Sequence, residues 1–372
     1  MQSKAESNRP LNPPADPGQT ELVYEVNPLS DPRWKTLVET HPAATVFHTT
    51  NWLNALQRTY GYRPTVLTLT GPDKPLENGI VLCRVSSWLT GNRLVSVPFS
   101  DHCQPLVHET NDLIPLLSSL KTGIGYEGCK YVEMRPLKPF NIEIESRTRL
   151  AREDSFCIHL LDLRSSSDEL FKGFHKNSVK APLRRSQREG VRIEEGRNEV
   201  LLKDFYDLLI LTRRRHRVPP QPIEWFRNLI DFFAGGALIL VAYKDAVPIA
   251  SILTLAHNKS LVYKYGCSDP RFNNSGATVA LIWHAIQAAQ KAGFEQFDFG
   301  RSELENSGLV TFKDHWGAAR TALRYYRYPW PSSTASRSAL KELGERVAQR
   351  IFPYLPDSVL TAIGKLLYKH AA

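Results

Sequence analysis

Residues 297–317 read FDFGRSELENSGLVTFKDHWG. The run opens as a short apolar strand and turns at Gly300-Arg301. It then gathers Glu303, Asn306, Gly308, Lys313 and Trp316 behind Asp298 in one strand–loop–helix passage. α/β folds place ligand sites where a strand ends in a glycine turn, because backbone groups and loop side chains converge there. The plainer account is a turn at Gly300, a packed Trp316 and solvated charges. So many polar residues beside an apolar strand favour a site.

The same half of the chain supplies the context. Residues 276–292 read as a helix capped by Ser275. Three strands precede it: ALILVAY (237–243), PIASILTLA (248–256) and SLVYKY (260–265). Links as short as Lys244-Asp245 and His257-Asn258-Lys259 join antiparallel neighbours. The strand 296–299 then returns parallel. Helices are expected at 201–214 and 224–233, with a basic helix near 170–189.

The first half repeats this order. Helices at 32–39 and 51–60 lead to the strands TVLTLT (65–70), GIVLCRV (79–85) and RLVSV (93–97). Turns at Gly71-Pro72 and Gly91-Asn92 separate them. A helix at 112–126 and the strand KYVEM (130–134) complete the set. Each half therefore reads helices, then β-β-β-α-β, and closes on a glycine, a strand and an arginine (Gly128 to Arg135, Gly293 to Arg301). This is a repeat of architecture, not of sequence. The expected fold is α/β (α+β), with two tandem domains, each a mostly antiparallel mixed sheet flanked by helices. The expected bounds are a disordered leader at 1–20, domains at 21–150 and 151–330, and a basic helical tail at 331–372.

Composition agrees with this plan. A chain of 372 residues suits two cores, and 42% hydrophobic with 23% charged residues is ordinary for globular proteins. The net charge of +9 suits an anionic partner, or reflects surplus surface cations. The five cysteines form no CxxC pair, so neither a zinc site nor a disulfide framework is expected, and the chain fits a reducing cytoplasm. Residues 1–20 are polar and proline-rich, without the apolar region of a signal peptide. No apolar run approaches the roughly 18 residues of a membrane span. The sequence carries no phosphate-binding Walker loop, no GxSxG and no HExxH, so no metal is expected. In the tail, the linker PSSTASRS (331–338) precedes helices at 339–352 and 358–369. Both are basic and amphipathic. Packing on the second domain is favoured over peripheral contact with an anionic membrane, because the apolar faces are short.

Five further passages carry candidate residues. In FHKNSVKAPLRRSQREG (174–190), Lys176, Lys180, Arg184 and Arg188 share one helix face at four-residue spacing, with Pro182 interrupting. Like charges on one face repel unless an anion sits there, which points to phosphate, or else the face is simply solvated. The cluster Arg213 to Arg217 is a second basic run. In DPRFNNSGA (269–277), Arg271 precedes a helix N-terminus able to bind phosphate. Strand alternation puts Tyr263 and Tyr265 on one face, for substrate contact or for packing. In LVSVPFSDHCQPL (94–106), Asp101 stands at a loop mouth, where a carboxylate can take a proton from an amine or merely make a turn.

The run FDFGR, followed by Asn306-x-Gly308-Leu309 and then by Phe312-Lys313-x-x-Trp316-Gly317, resembles the signature of Fem-type aminoacyltransferases and related GNAT-like acyltransferases. The β-β-β-α-β order is similar to the core of the GNAT fold. The resemblance implies transfer of an acyl or aminoacyl group to an amine by direct attack, with no covalent enzyme intermediate. The acceptor would be a cell-envelope (peptidoglycan) precursor, a glycolipid, a polysaccharide or a peptide. It puts Lys313 beside the reacting carbonyl as oxyanion stabiliser. Arg301 would fix the substrate or the loop, and Asp101 would face the second domain as amine partner. It leaves Lys176, Arg184, Arg188, Tyr263, Tyr265, Arg271, Asn306 and Trp316 to hold substrates. No cofactor is bound permanently, and the donor is acyl-CoA or aminoacyl-tRNA. The passage 269–277 lacks the earlier glycine of acetyl-CoA-binding loops, which weakens the acyl-CoA case. No long heptad arm lies between 201 and 237, which weakens the tRNA case. The other reading is a non-catalytic anion- or RNA-binding protein on this fold. The expected location is the cytoplasm, with contact at the inner membrane face as an extension.

Overall fold

In the computed structural model, residues 22–87, 91–122, 128–148, 150–329 and 351–370 are described. The leader, the linker 331–338 and nearly all of the helix expected at 339–352 lie outside them. Contacts gather the described residues into two units. One holds residues 22–155, 323–329 and 369–370, and the other holds 156–322 and 351–368.

Unit 1 begins with β1 (Tyr24–Val26), α1 (Pro32–Thr40) and α2 (Thr50–Tyr60). Local chemistry sets both helix ends. Asp31 accepts from Arg33 N ahead of α1, and Thr49 accepts from Trp52 N ahead of α2. Gly61, at φ 75°, closes α2 in the left-handed region. Next come β2 (Arg63–Thr68), β3 (Ile80–Val85), β4 (Asn92–Val95), α3 (Leu113–Thr122), β5 (Cys129–Met134) and α4 (Ile142–Thr148). The pairs β1–β2, β2–β3 and β3–β4 are antiparallel, and β4–β5 is parallel. Leu113, Leu116, Leu117 and Leu120 of α3 pack on Ile80, Leu82 and Val132.

Unit 2 follows with β6 (Ala151–Asp162), α5 (Ser167–Gly173), a π-helical turn (Lys176–Lys180), α6 (Ala181–Arg188), β7 (Arg192–Gly196), α7 (Glu199–Arg215) and α8 (Ile223–Phe233). Then come β8 (Ala237–Lys244), β9 (Val247–His257), β10 (Ser260–Ser268), α9 (Ala277–Lys291), β11 (Gln296–Glu303), α10 (Ser307–Asp314), β12 (Ala319–Pro329) and α11 (Asp357–Leu367). The pairs β7–β8, β8–β9 and β9–β10 are antiparallel, β10–β11 is parallel, and β11–β6 is antiparallel. One sheet face packs on α6 and α9 through Val179, Leu183, Leu281 and Ile282. The other carries α7 and α8, with Phe205 edge-on to Phe226 at 5.0 Å.

The strand orders match. Unit 1 runs β1-β2-β3-β4-β5-β12 and unit 2 runs β7-β8-β9-β10-β11-β6, with the parallel pair at the same place in each. β12 joins the first sheet through Tyr326 opposite Met134. The architecture is thus two tandem mixed sheets flanked by helices.

Four strands go beyond the sequence expectation; the shortest, β1, has only three residues. β7 is five residues long with exposed charges, which gives it no alternating apolar signal. β6 opens on the polar run AREDS, and β12 covers residues of the second expected domain where the sequence predicts no element. The basic helix expected near 170–189, interrupted at Pro182, is three pieces, and α6 opens at Ala181 beside that proline. Ala181 N donates to Lys176 O, a five-residue step that a 3.6-residue period does not foresee.

Candidate active site

Two neighbouring strands leave regular geometry at the same level. Parallel pairing of β10 with β11 is recorded from Ser260 opposite Gln296 to Val262 opposite Asp298. Just beyond, β10 bulges between Tyr263 and Tyr265, and β11 bulges against β6 between Asp298 and Arg301. Gly300 takes φ 71°, open to a residue without Cβ, and its N–H donates to Asp298 Oδ1 at 2.7 Å. Bulges redirect side chains and recur beside active sites.

Lys313 closes over this bulge. Asn306 caps α10 by accepting from Leu309 N at 3.2 Å, which sets the helix phase. The Lys313 ammonium, 3% exposed, then donates to Gly300 O at 2.7 Å and Arg301 O at 3.2 Å. A cation is thereby fixed in a dry place against two main-chain carbonyls. The next residue, Asp314, accepts from His159 Nε2 at 3.0 Å and from Arg320 Nη1 at 3.2 Å. Burial lowers the His159 pKa, and the hydrogen bond to Asp314 offsets this only in part. The Arg301 guanidinium lies 4.3 Å from the centre of the Phe156 ring.

Phe312, the residue before Lys313, belongs to the wall of a cavity of about 380 Å³. Ile249 and Phe272 extend its apolar side, and Arg185, Asn274 and Thr278 supply polar groups. The cavity opens on the start of α9. The N-cap there is Gly276, at φ 79° and without a side-chain cap, so N–H groups of the first turn beyond Ala277 stay available to an anion. Ser275, the cap expected from sequence, accepts from Ala277 N instead. A Cβ on Gly276 would lie 2.2 Å from Pro182 O, so the start of α6 approaches the start of α9 closely. That approach delivers Arg185, whose Nη1 donates to Asn274 O at 2.9 Å.

The other candidates divide. Arg271 is not in the cavity wall; it folds back on Asp269, with Nη2 2.6 Å from Oδ2. The hydrogen bond from Arg271, with burial opposing, holds the Asp269 carboxyl below its usual range. Lys176, Arg184 and Arg188 are exposed, with no ion-pair partner among the described residues. Lys180 is tied back to Lys172 O at 2.9 Å. Trp316 is fully buried, edge-on to Phe174 at 5.1 Å, so it packs the core.

Tyr263 and Tyr265 do not share a face. The bulge between them breaks the alternation. Tyr263 packs on the α9 side, while the Tyr265 hydroxyl accepts from Trp225 Nε1 at 2.8 Å on the α8 side. Asp101 belongs to unit 1, on a loop where Val97 and Phe99 take φ 123° and 61°. Positive φ at a β-branched residue is costly, and such strain gathers at working loops. Arg135 braces the loop through Val97 O at 3.3 Å and Ser100 O at 3.2 Å, and the Tyr325 hydroxyl donates to Asp101 O at 2.7 Å.

Sequence reasoning missed Arg185, Asn274 and Phe312 as cavity residues. Arg185 stands between two arginines that were singled out, and only the π turn decides which of the three reaches α9.

Comparison with known proteins agrees with this geometry. Residues 173–314, which carry the cavity, Lys313 and both bulges, match the family described as Acetyltransferase (GNAT) domain. Among solved structures the chain is similar to FemX, with a TM-score of 0.66 and 15% identity, covering 84% of this chain and 98% of that one. It is similar to a C-terminal domain from Agrobacterium fabrum carrying the name of a lysylphosphatidylglycerol synthetase, at 0.53 and 14%, covering 85% and 95%. It is also similar to a tandem GNAT protein from the clavulanic acid biosynthesis pathway, at 0.52 and 12%, covering 82% and 98%. At these identities the likeness is one of fold, and that fold is a tandem, Fem-like GNAT arrangement. No curated protein matches the chain in a sequence search.

Proposed function

We propose that this protein is an acyltransferase that moves an acyl or aminoacyl group from a phosphate-bearing donor to an amine. The observation that carries the reading is the cavity at the start of α9, with Arg185 at its polar side and Phe312, the residue before Lys313, in its wall. Helix dipole, free N–H groups and a guanidinium suit a pyrophosphate, and the apolar wall suits a pantetheine-like arm. Acyl-CoA is therefore the favoured donor. The amine attacks the carbonyl, the oxygen gains negative charge, and the carbon–sulfur bond breaks to release the thiol. Lys313 supplies fixed positive charge to that oxygen, and Arg301 steadies the bulge. Burial pushes the thiols of Cys83 and Cys267 up, so both stay protonated and suit no nucleophilic role. Asp101, on its braced loop, is the candidate for holding the amine. The similarity to FemX and to the named synthetase domain points the acceptor search towards amines of envelope precursors or lipids.

Lys176, Arg184 and Arg188, exposed and without an ion-pair partner among the described residues, favour one second reading, an aminoacyl-tRNA donor. Calorimetric titration with acetyl-CoA, a long-chain acyl-CoA and tRNA separates the two. Saturable acyl-CoA binding, weakened about tenfold by Arg185→Ala, is expected. Binding of tRNA alone moves the donor assignment to the second reading. No binding of any of the three overturns the enzyme reading.

A further inference from the structure

The described C-terminal segment is fixed on unit 2, and its outer face is apolar. α11 buries Leu360 and Gly364 against the Pro219-Pro220 turn between α7 and α8. A Cβ on Gly364 would lie 2.0 Å from Pro220 O, so the helix backbone sits directly on that turn. The Tyr368 hydroxyl donates to Pro219 O at 3.2 Å. Arg214 Nη1 donates to Pro353 O at 2.8 Å and Leu355 O at 2.7 Å, and its guanidinium also pairs with Asp357. With the inner face tied down, the outer face has a set orientation. It presents Val359, Ala362 and Leu366 at i, i+3 and i+7, one stripe of a helix.

Four of the nine exposed large hydrophobic residues among the described residues fall in this short segment: Ile351, Tyr354, Val359 and Leu366. Tyr354 is 86% exposed and Leu366 58%. Scattered single exposures need no explanation, but a gathering of them does. The charges beside it are positive. Arg215 and Arg217, at the end of α7 that holds the segment, are exposed and have no ion-pair partner among the described residues. Two carboxylates of the segment and its support are engaged, Asp357 by Arg214 and Glu224 by Lys365.

We propose that this face docks on the surface of an anionic lipid bilayer. Val359, Leu366 and Tyr354 enter the boundary between headgroups and acyl chains, and Arg215 and Arg217 meet lipid phosphates. Apolar side chains flanked by unpaired cations are the complement of such a surface, whereas a protein partner offers no reason for the one-signed flank. The proposal stands apart from the donor cavity and does not depend on the acyltransferase reading.

Co-sedimentation of the full chain with vesicles tests it. Binding is expected to phosphatidylcholine mixed with phosphatidylglycerol and not to phosphatidylcholine alone, and it should weaken as salt rises. Leu366→Glu with Tyr354→Glu should reduce binding about tenfold or more, and Arg215→Glu about fivefold. Val200→Glu, at an exposed apolar residue elsewhere on unit 2, should change nothing. All these positions are exposed, and circular dichroism melts check that each variant folds. No binding to the mixed vesicles, or binding indifferent to the substitutions, overturns the proposal. So does a dimer, seen by sedimentation velocity, that Leu366→Glu dissociates, because the face then belongs to a second copy.

Discussion

Lys313 and Arg135 are both buried cations, and their partners set different expectations. Lys313 faces two carbonyl oxygens, which carry only partial charge. Lys313→Met loses the hydrogen bonds to Gly300 O and Arg301 O, which should cost about 2–3 kcal/mol in chemical denaturation. It should keep donor affinity within about twofold and lower turnover at least about a hundredfold. Unchanged turnover would sink the catalytic assignment. Arg135, by contrast, meets Glu133 at 2.7 Å, both almost fully buried. Removing one member of such a pair strands the other, so Arg135→Met should destabilise by about 3–5 kcal/mol. Burial pushes the Glu133 carboxyl up, but Arg135 and Arg327 outweigh it and hold it below its ordinary value of 4.5. Its contribution is full above that value and is lost as pH falls through the lower, folded value. Denaturation midpoints should drop on acidification below pH 4.5, and Glu133→Gln should flatten part of that drop. At this scale the density of polar residues marked the passage 297–317, and the family resemblance put Lys313 forward within it. Its carbonyl partners were not legible, because they depend on the bulge at Gly300.

Among the elements, the start of α9 makes the sharpest demand. Gly276 is left-handed and has Pro182 O where a Cβ would be. Gly276→Ala should cost about 1–3 kcal/mol and weaken donor binding, read by thermal melts and titration. Normal binding in that variant would argue against the α9 cradle. The meander strands and long helices were readable because short links and apolar periods act locally. The bulge between Tyr263 and Tyr265 was not, since it changes face without changing composition. The same holds for the π turn, which moves Arg185, and not Arg184 or Arg188, into the cavity wall.

At the scale of the whole molecule, the net charge of +9 now has places to act: the unpaired face of α6 and the end of α7. If the α6 face binds a polyanion, affinity for tRNA should fall steeply between low and physiological salt, and Arg184→Ala with Arg188→Ala should reduce that slope by about two. A slope unchanged by the double substitution would remove α6 from the interface. No helix among the described residues is long and apolar enough to cross a membrane. The repeat of two mixed sheets was legible in the order of strands and helices. The partner of each fifth strand was not, because β6 and β12 pair with strands distant in sequence.

β12 also sets a timetable. The first sheet is completed by Tyr326 and its neighbours, which leave the ribosome long after β5. At typical elongation rates the wait is on the order of ten seconds or more, with the outer backbone of β5 unpaired meanwhile. The N-terminal half, although made first, therefore cannot complete its sheet until most of the second half has been made. A fragment ending at residue 155 should aggregate when produced alone, and adding a peptide of residues 319–329 during refolding should rescue it.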